Sequence, residues 1–202
     1  PLSYENLQSN LEITNPKDHF GVITWTGNGS TSGQEISGLE FKPDLVWVKQ
    51  RNGNQNHLWH DSIRGASKYI KCDENEQENT NEDFVTQFRS DGIKVGNSGV
   101  TNGSGETNLA WCWKAGGAPT ATNSANVGSV PTAGSVKIDG SDATAALAGT
   151  RYPNKLSANT KAGFSIVHYT GTGNNFTLAH GLNRRPDLVM VKTLDGATVD
   201  WM

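Results

Sequence analysis

Residues 41–49 read Phe-Lys-Pro-Asp-Leu-Val-Trp-Val-Lys, and residues 185–192 return to nearly the same order as Arg-Pro-Asp-Leu-Val-Met-Val-Lys. Proline fixes φ and has no N–H, so it suits the first residue of a strand or the turn before it. The apolar run after it is rich in Leu, Val and Trp, which fit a pleated, half-buried surface. Each copy therefore predicts a short strand with much of both faces covered.

The repeat extends upstream of these two strands. Residues 20–29, Phe-Gly-Val-Ile-Thr-Trp-Thr-Gly-Asn-Gly, match residues 164–173, Phe-Ser-Ile-Val-His-Tyr-Thr-Gly-Thr-Gly. The offset is 144 residues at this block and 143 at the Pro-Asp block. Two blocks at a nearly constant offset indicate an internal structural repeat. We expect one whole unit, the first strands of a second, and a natural protein longer than this stretch.

The composition favours a β protein and argues against several partners. Hydrophobic residues make up 34% of the chain and glycine contributes 23 residues, which fits short strands and turns better than helical packing. The net charge of −3 predicts no nucleic-acid partner. No apolar run approaches the ~20 residues of a membrane-spanning helix, so we expect no membrane partner.

These patterns predict an all-β chain in four parts. Residues 1–19 form an N-terminal arm, and 20–115 a complete β-sandwich module of jelly-roll or lectin-like type. Residues 116–162 form a low-complexity linker, because 115–135 contain only Gly, Ala, Thr, Ser, Asn, Pro and Val. Residues 163–202 supply the first strands of a second, truncated module.

Residues that carry chemistry are few. His57, Trp59, His60 and Asp61 lie together and are the candidate ligand-binding residues. In a regular strand His57 and His60 fall on opposite faces, so they do not converge on a metal or a proton-transfer site. No hydrolase, metalloprotease or phosphate-loop motif is present in the sequence. We therefore predict no catalytic residue, no metal ligand, no cofactor and no enzymatic activity.

Three other features each allow two interpretations. The acidic stretch 73–83 reads as a solvated loop or a short exposed helix, with a Ca²⁺ site as the alternative. Cys72 and Cys112 read as free, buried thiols, with a disulfide as the alternative. The six tryptophans read as core residues, with an exposed platform for sugar rings as the alternative. We expect Trp47 to be mostly buried, and Trp111 and Trp113 to share one face of their strand.

Several motifs together resemble a repeated module of tailed-phage virion proteins, common in marine phages. They are the block at 20–29, the Gly-Leu and Pro-Asp-Leu-Val-Trp-Val-Lys run at 38–49, His-Leu-Trp-His-Asp-Ser-Ile-Arg-Gly at 57–65, and Thr-Asn-Leu-Ala-Trp-Cys-Trp-Lys-Ala-Gly-Gly at 107–117. The resemblance covers most of residues 20–116 and 163–202. The acidic stretch and the N-terminal arm depart from it.

The resemblance implies a virion structural protein, assembled in the host cytoplasm and located on the tail or the capsid surface. A tail fibre or tail-attached protein that displays β modules for host attachment is the first interpretation. The alternatives are a capsid-associated decoration or adaptor protein without a ligand, and a glycan-binding or glycan-degrading tailspike. The partners implied are other copies of the chain, other virion proteins and host surface glycans.

We predict that the protein is a homo-oligomer, a trimer as in many fibres of this kind, with residues 1–19 and 116–162 in contact between chains. Small modules with few aliphatic residues gain from burial between subunits, and a polar segment loses conformational entropy when it becomes ordered. Sedimentation velocity of the purified chain measures this directly. A single species with the mass of one chain would contradict the prediction.

Overall fold

The computed structural model describes residues 13–196 and 199–202. Most of the predicted N-terminal arm, residues 1–12, therefore lies outside the described residues. The described part contains a 3₁₀ turn at Pro16–Asp18 and a four-residue helix, α1, at Gly99–Asn102. Its strands are β1 Phe20–Thr26, β2 Gln34–Ser37, β3 Leu45–Gln50, β4 Leu58–Asp61, β5 Gly65–Lys71, β6 Asn79–Thr80, β7 Val85–Arg89, β8 Gly92–Val95, β9 Thr107–Trp113, β10 Val136–Ile138, β11 Ser141–Asp142, β12 Lys155–Asn159 and β13 Phe164–His168.

The first module is a sandwich of two sheets. A six-stranded sheet in the order β1-β9-β3-β4-β5-β6 packs against a three-stranded sheet in the order β2-β8-β7. One hydrophobic core joins them, because residues such as Val46 and Ala110 of the larger sheet cluster with Ile93 and Val95 of the smaller one. All four of these side chains are fully buried. The prediction of an all-β sandwich is confirmed.

Strand β9 lies between β1 and β3 in the larger sheet. It pairs antiparallel with β1 on one side and with β3 on the other. Its side chains alternate as predicted: Ala110 and Cys112 are completely buried in the core, while Trp111 and Trp113 lie on the outer face. The last strand of the module thus completes the sheet that the first strands begin.

The predicted linker at 116–162 is corrected by the structure. Strands β10, β11 and β12 lie in this segment and join β13 in a four-stranded sheet in the order β11-β10-β12-β13. Val136, Leu156 and Ala158 form its buried core. The small residues that look like low complexity permit close packing, since a Cβ on Gly116 would lie 2.4 Å from the carbonyl oxygen of Lys137.

Asp44, from the Pro-Asp motif, fixes the segment that leads from the first module to this sheet. Its carboxylate is buried and accepts hydrogen bonds from Ser62 Oγ at 2.7 Å, Ala115 N at 2.8 Å and Gly117 N at 3.2 Å. Ser157 adds a second link, since its Oγ accepts from Gly116 N and donates to the carbonyl of Gly117. Burial raises the pKa of Asp44, and these hydrogen bonds act against that rise.

The second copy is formed only in part. Its first strand, β13, is present, but the predicted strand at 186–192 is not, and Leu188 is 76% exposed. In the first module the equivalent strand β3 lies between β9 and β4. Within the described residues the second copy has no strand equivalent to β9, so its Pro-Asp run lacks that neighbour. The two Pro-Asp runs are therefore not equivalent in the structure.

We expect Asp44→Ala to lower the free energy of unfolding by about 2–3 kcal/mol, because it leaves buried N–H donors without an acceptor. Asp187 occupies the same place in the second Pro-Asp run but is exposed, which makes it a matched control. Asp187→Ala should change stability by no more than about 0.5 kcal/mol. Urea unfolding of both variants measures the difference, and equal losses would refute a special role for Asp44.

Candidate functional site

Three tryptophans form a row across the outer face of the six-stranded sheet. Strand register places Trp47 opposite Trp111 on one side and opposite Trp59 on the other. The ring centroids of Trp47 and Trp111 are 5.0 Å apart, and those of Trp47 and Trp59 are 5.6 Å apart. We call these residues the tryptophan row. Cross-strand aromatic contacts of this kind stabilise a sheet.

The tryptophan row faces outward because its neighbours in sequence face the core. Val46 and Val48 flank Trp47 and are buried, and side chains alternate along a strand. All three rings are half-buried. The expectation that Trp47 is mostly buried is therefore only partly met, since this face is covered by short segments and not by another sheet.

His57 is bonded to Trp47, the middle member of the row. The Nε1 of Trp47 donates a hydrogen bond to His57 Nδ1 at 3.0 Å, so this ring nitrogen acts as the acceptor. The backbone N–H of His57 donates in turn to the Asp73 carboxylate at 3.0 Å. The Nε1 of Trp59 is buried and has no hydrogen-bond partner within the described residues.

Trp201, from the second copy, covers the Trp59 end of the row. Its ring meets Trp59 edge-on with centroids 5.0 Å apart, and its Nε1 donates to the carbonyl of Lys71 at 3.3 Å. Lys192 Nζ also donates to the carbonyl of Asn75 at 3.0 Å. Part of the row is thus buried by the same chain.

The structure divides the four candidate ligand-binding residues between two faces. His57 and Trp59 lie at the half-buried outer face. His60 points into the core and has no exposed surface. Asp61 is buried in an ion pair, with its Oδ2 2.5 Å from Arg64 Nε. His57 and His60 are therefore separated by the sheet, as the strand alternation predicts.

Asp61 has structural partners that sequence reasoning missed. Its Oδ1 accepts from the backbone N–H groups of Ile63 and Arg64, which shapes the turn after β4. Arg64 also contacts Glu78 at 3.3 Å, and Lys68 contacts Glu78 at 3.1 Å. The sequence signal for this ion pair was the spacing of three residues between Asp61 and Arg64. That spacing alone does not distinguish a turn-forming ion pair from a ligand-binding site.

His60 is an unusual core residue. Its Nδ1 lies 2.7 Å from the carbonyl oxygen of Ala66, while its Nε2 is buried without a partner within the described residues. The rings of Tyr69 and Phe84 pack around it, with centroids 5.9 and 6.5 Å away. Burial lowers the pKa of His60 to about 4, so the imidazole is neutral at pH 7.

The acidic stretch is tied down by cations. Lys71 Nζ lies 3.0 Å from carboxylate oxygens of both Glu74 and Glu76. Hydrogen bonds from Lys71 and Asn56 lower the pKa of Glu74. With Glu78 paired to Arg64 and Lys68, the solvated-loop interpretation is too simple. No group of three His, Cys, Asp or Glu side chains suited to a metal ion occurs in the described part of the chain.

Both cysteines are free thiols of low reactivity. Burial raises the pKa of Cys72 and of Cys112 to about 12, which leaves little reactive thiolate on either residue. The interpretation as free thiols is therefore confirmed.

The described part of the chain contains a 3₁₀ turn and a four-residue helix. Within residues 13–196 and 199–202, no helix is long and apolar enough to cross a membrane.

The outer face is suited to contact more than to proton transfer. The His57 ring accepts from an indole and the His60 ring bonds to a backbone carbonyl. Within the described residues neither imidazole is bonded to a hydroxyl or thiol nucleophile. The tryptophan row offers flat aromatic surface, and a neighbouring open groove is lined by Asp73, Glu74, Glu76, Asp200 and Trp201. Aromatic rings beside polar side chains are a common means of binding.

A family model matches the chain twice, over residues 15–150 and over residues 136–202, and is described as Domain of unknown function (DUF7483). The first match contains the whole sandwich and the segment after it. The second contains all four strands of the four-stranded sheet and the second copy. No curated protein and no solved structure matches the chain.

We expect the stability contributed by His60 to be complete above pH 6.5 and to be lost as the pH falls towards 4. His60 takes up a proton near pH 6.5 in the unfolded chain but only near pH 4 in the folded chain. This difference in pKa corresponds to about 3 kcal/mol of unfolding free energy. Unfolding free energies of the wild type and His60→Gln, measured from pH 7 to pH 4, test this. Parallel profiles for the two proteins would contradict it, and His60→Asn provides a second comparison.

Proposed function

We propose a structural role for this chain, which belongs to the family described as Domain of unknown function (DUF7483). It is a virion component of a tailed phage, a tail fibre or tail-attached protein that displays β modules for host attachment. The resemblance of its motifs to tailed-phage virion modules is the observation that carries this proposal. The repeated match to one family model supports it, because a repeated match is typical of modules in tandem.

The junction after the first module supports such a role. Asp44 and Ser157 connect the sandwich to the next sheet through buried hydrogen bonds. Lys155 Nζ adds a hydrogen bond to the carbonyl of Ile63 at 3.2 Å. Modules joined in this way keep a fixed spacing, and fixed spacing lets several weak contacts to a surface act together.

The polar residues fit a non-enzymatic role. Among the residues that the structure describes, Asp44 and Asp61 are the buried carboxylates, and both are occupied by structural hydrogen bonds or an ion pair. A glycan-degrading enzyme needs two carboxylates facing one another across a substrate cleft. The proposed partners are other copies of the chain, assembled as a trimer, and other virion proteins on the tail or capsid surface.

A second candidate, glycan binding, is favoured by the tryptophan row. Trp47 and Trp111 are half-buried and in contact. An acidic groove at Trp201, which contacts the Trp59 end of the row, supplies acceptors for sugar hydroxyls. Host surface glycans are the ligands this arrangement suits. A glycan array probed with the wild type and with Trp111→Ala tests the candidate, and no binding by either protein would remove it.

We expect the chain to be found in many copies on phage particles purified from lysates of its host. Quantitative mass spectrometry of those particles measures the copy number, and gold-labelled antibodies against the chain show its position. Label on the tail supports the proposal. Label on the capsid would favour the decoration or adaptor alternative, and absence from purified particles would refute any virion role.

A further inference from the structure

The exposed side of β1 has a covered counterpart in the second copy. Phe20 and Val22 are 40% and 50% exposed, and Thr24 beside them is also exposed. Their equivalents at an offset of 144 residues are Phe164, Ile166 and His168, and all three are half-buried. The same face of the same strand is therefore open in the first copy and covered in the second.

The cover in the second copy comes from the module that precedes it. The ring of Phe164 stacks on Trp113 of the first module, with centroids 6.2 Å apart and an interplanar angle of 26°. Phe20, its equivalent, contacts Trp113 of its own module at 5.1 Å. Phe20 and Phe164 thus occupy the same position in their copies. Phe20 contacts the tryptophan of its own module, and Phe164 contacts the tryptophan of the preceding one.

The backbone shows the same relationship. The backbone N–H of Gly27 donates to the carbonyl of Glu106, and that of Lys114 donates to the carbonyl of His19. The backbone N–H and C=O groups of the odd-numbered residues of β1 therefore point towards β9. The N–H and C=O groups of residues 20, 22 and 24 therefore point to the other edge. Within residues 13–196 and 199–202, no strand pairs with that edge.

In the second copy the corresponding edge is paired. The backbone N–H of Leu156 donates to the carbonyl of Ser135, and that of Asp139 donates to the carbonyl of Ala158. The backbone N–H and C=O groups of the even-numbered residues of β12 therefore point towards β10. The odd-numbered residues of β12 therefore face β13, opposite residues 164, 166 and 168. The open edge of β1 is thus the edge that β12 occupies on β13.

We propose that the exposed side of β1, carrying Phe20 and Val22, is the contact surface for a preceding copy of this module. That copy offers a strand in the position of β12 and a tryptophan in the position of Trp113. Successive modules then join through the same interface each time. In it, the sheet that contains β1 continues the four-stranded sheet of the module before it. This inference rests on the repeat and not on the proposed virion role.

A tandem chain tests the proposal. Residues 20–163 are inserted a second time after Gly163, which keeps the natural period and leaves the rest of the chain intact. Val22→Cys is then introduced either in the first copy or in the inserted copy, and the rate of maleimide labelling is measured. The same chain without the new cysteine corrects for Cys72 and Cys112.

The inserted Val22→Cys should label at least about ten-fold more slowly than the same substitution in the first copy, because reaction then requires local opening. Ile166→Cys in the original chain gives the rate of a covered site. Val127, which is 47% exposed, provides the control: Val127→Cys should label equally fast in both copies.

Equal labelling of Val22→Cys in the two copies of a folded tandem chain would overturn the proposal. A tandem chain that fails to show the β-sheet circular dichroism of the original would also overturn it, since the interface must accept a complete module.

Discussion

Strand β9 has to return from the end of the module to pair with β1 and β3, and the rest of the structure depends on this pairing. It carries Ala110 and Cys112 into the core and the Trp111 and Trp113 rings onto the outer face. Without it, β1 and β3 share no sheet, since β9 is the neighbour of both. Such non-local pairing requires closing a long loop before any contact is gained.

The second copy illustrates the same dependence. Its Pro-Asp run has nearly the sequence of β3 but not its place in a sheet, and Leu188, Val189 and Met190 are more than half exposed. An apolar, β-prone segment becomes a strand when neighbouring strands satisfy its backbone groups. Nearly identical segments therefore have different structures at the two places.

Small residues connect the first module to the four-stranded sheet. Gly116 lies where two carbonyl oxygens leave no room for a Cβ, and Ser157 bonds to the backbone of Gly116 and of Gly117. Asp44 accepts the N–H groups of Ala115 and Gly117 from the other direction. Buried hydrogen bonds hold the junction, and the four-stranded sheet has a small core of its own at Val136, Leu156 and Ala158. Together they order a segment with few aliphatic residues.

The sequence alone determined the fold class, the repeat and the alternation that puts Trp111 outside and Ala110 inside. These follow from local periodicity and turn chemistry, which act over a few residues. Only the tertiary structure decided that 116–162 contributes three strands to a sheet, that His60 and Asp61 are buried while His57 and Trp59 are not, and that 186–192 is not a strand. Each of these depends on partners distant in the chain, such as Ser157 for Gly116 or Trp201 for Trp59, and no local pattern specifies a distant partner.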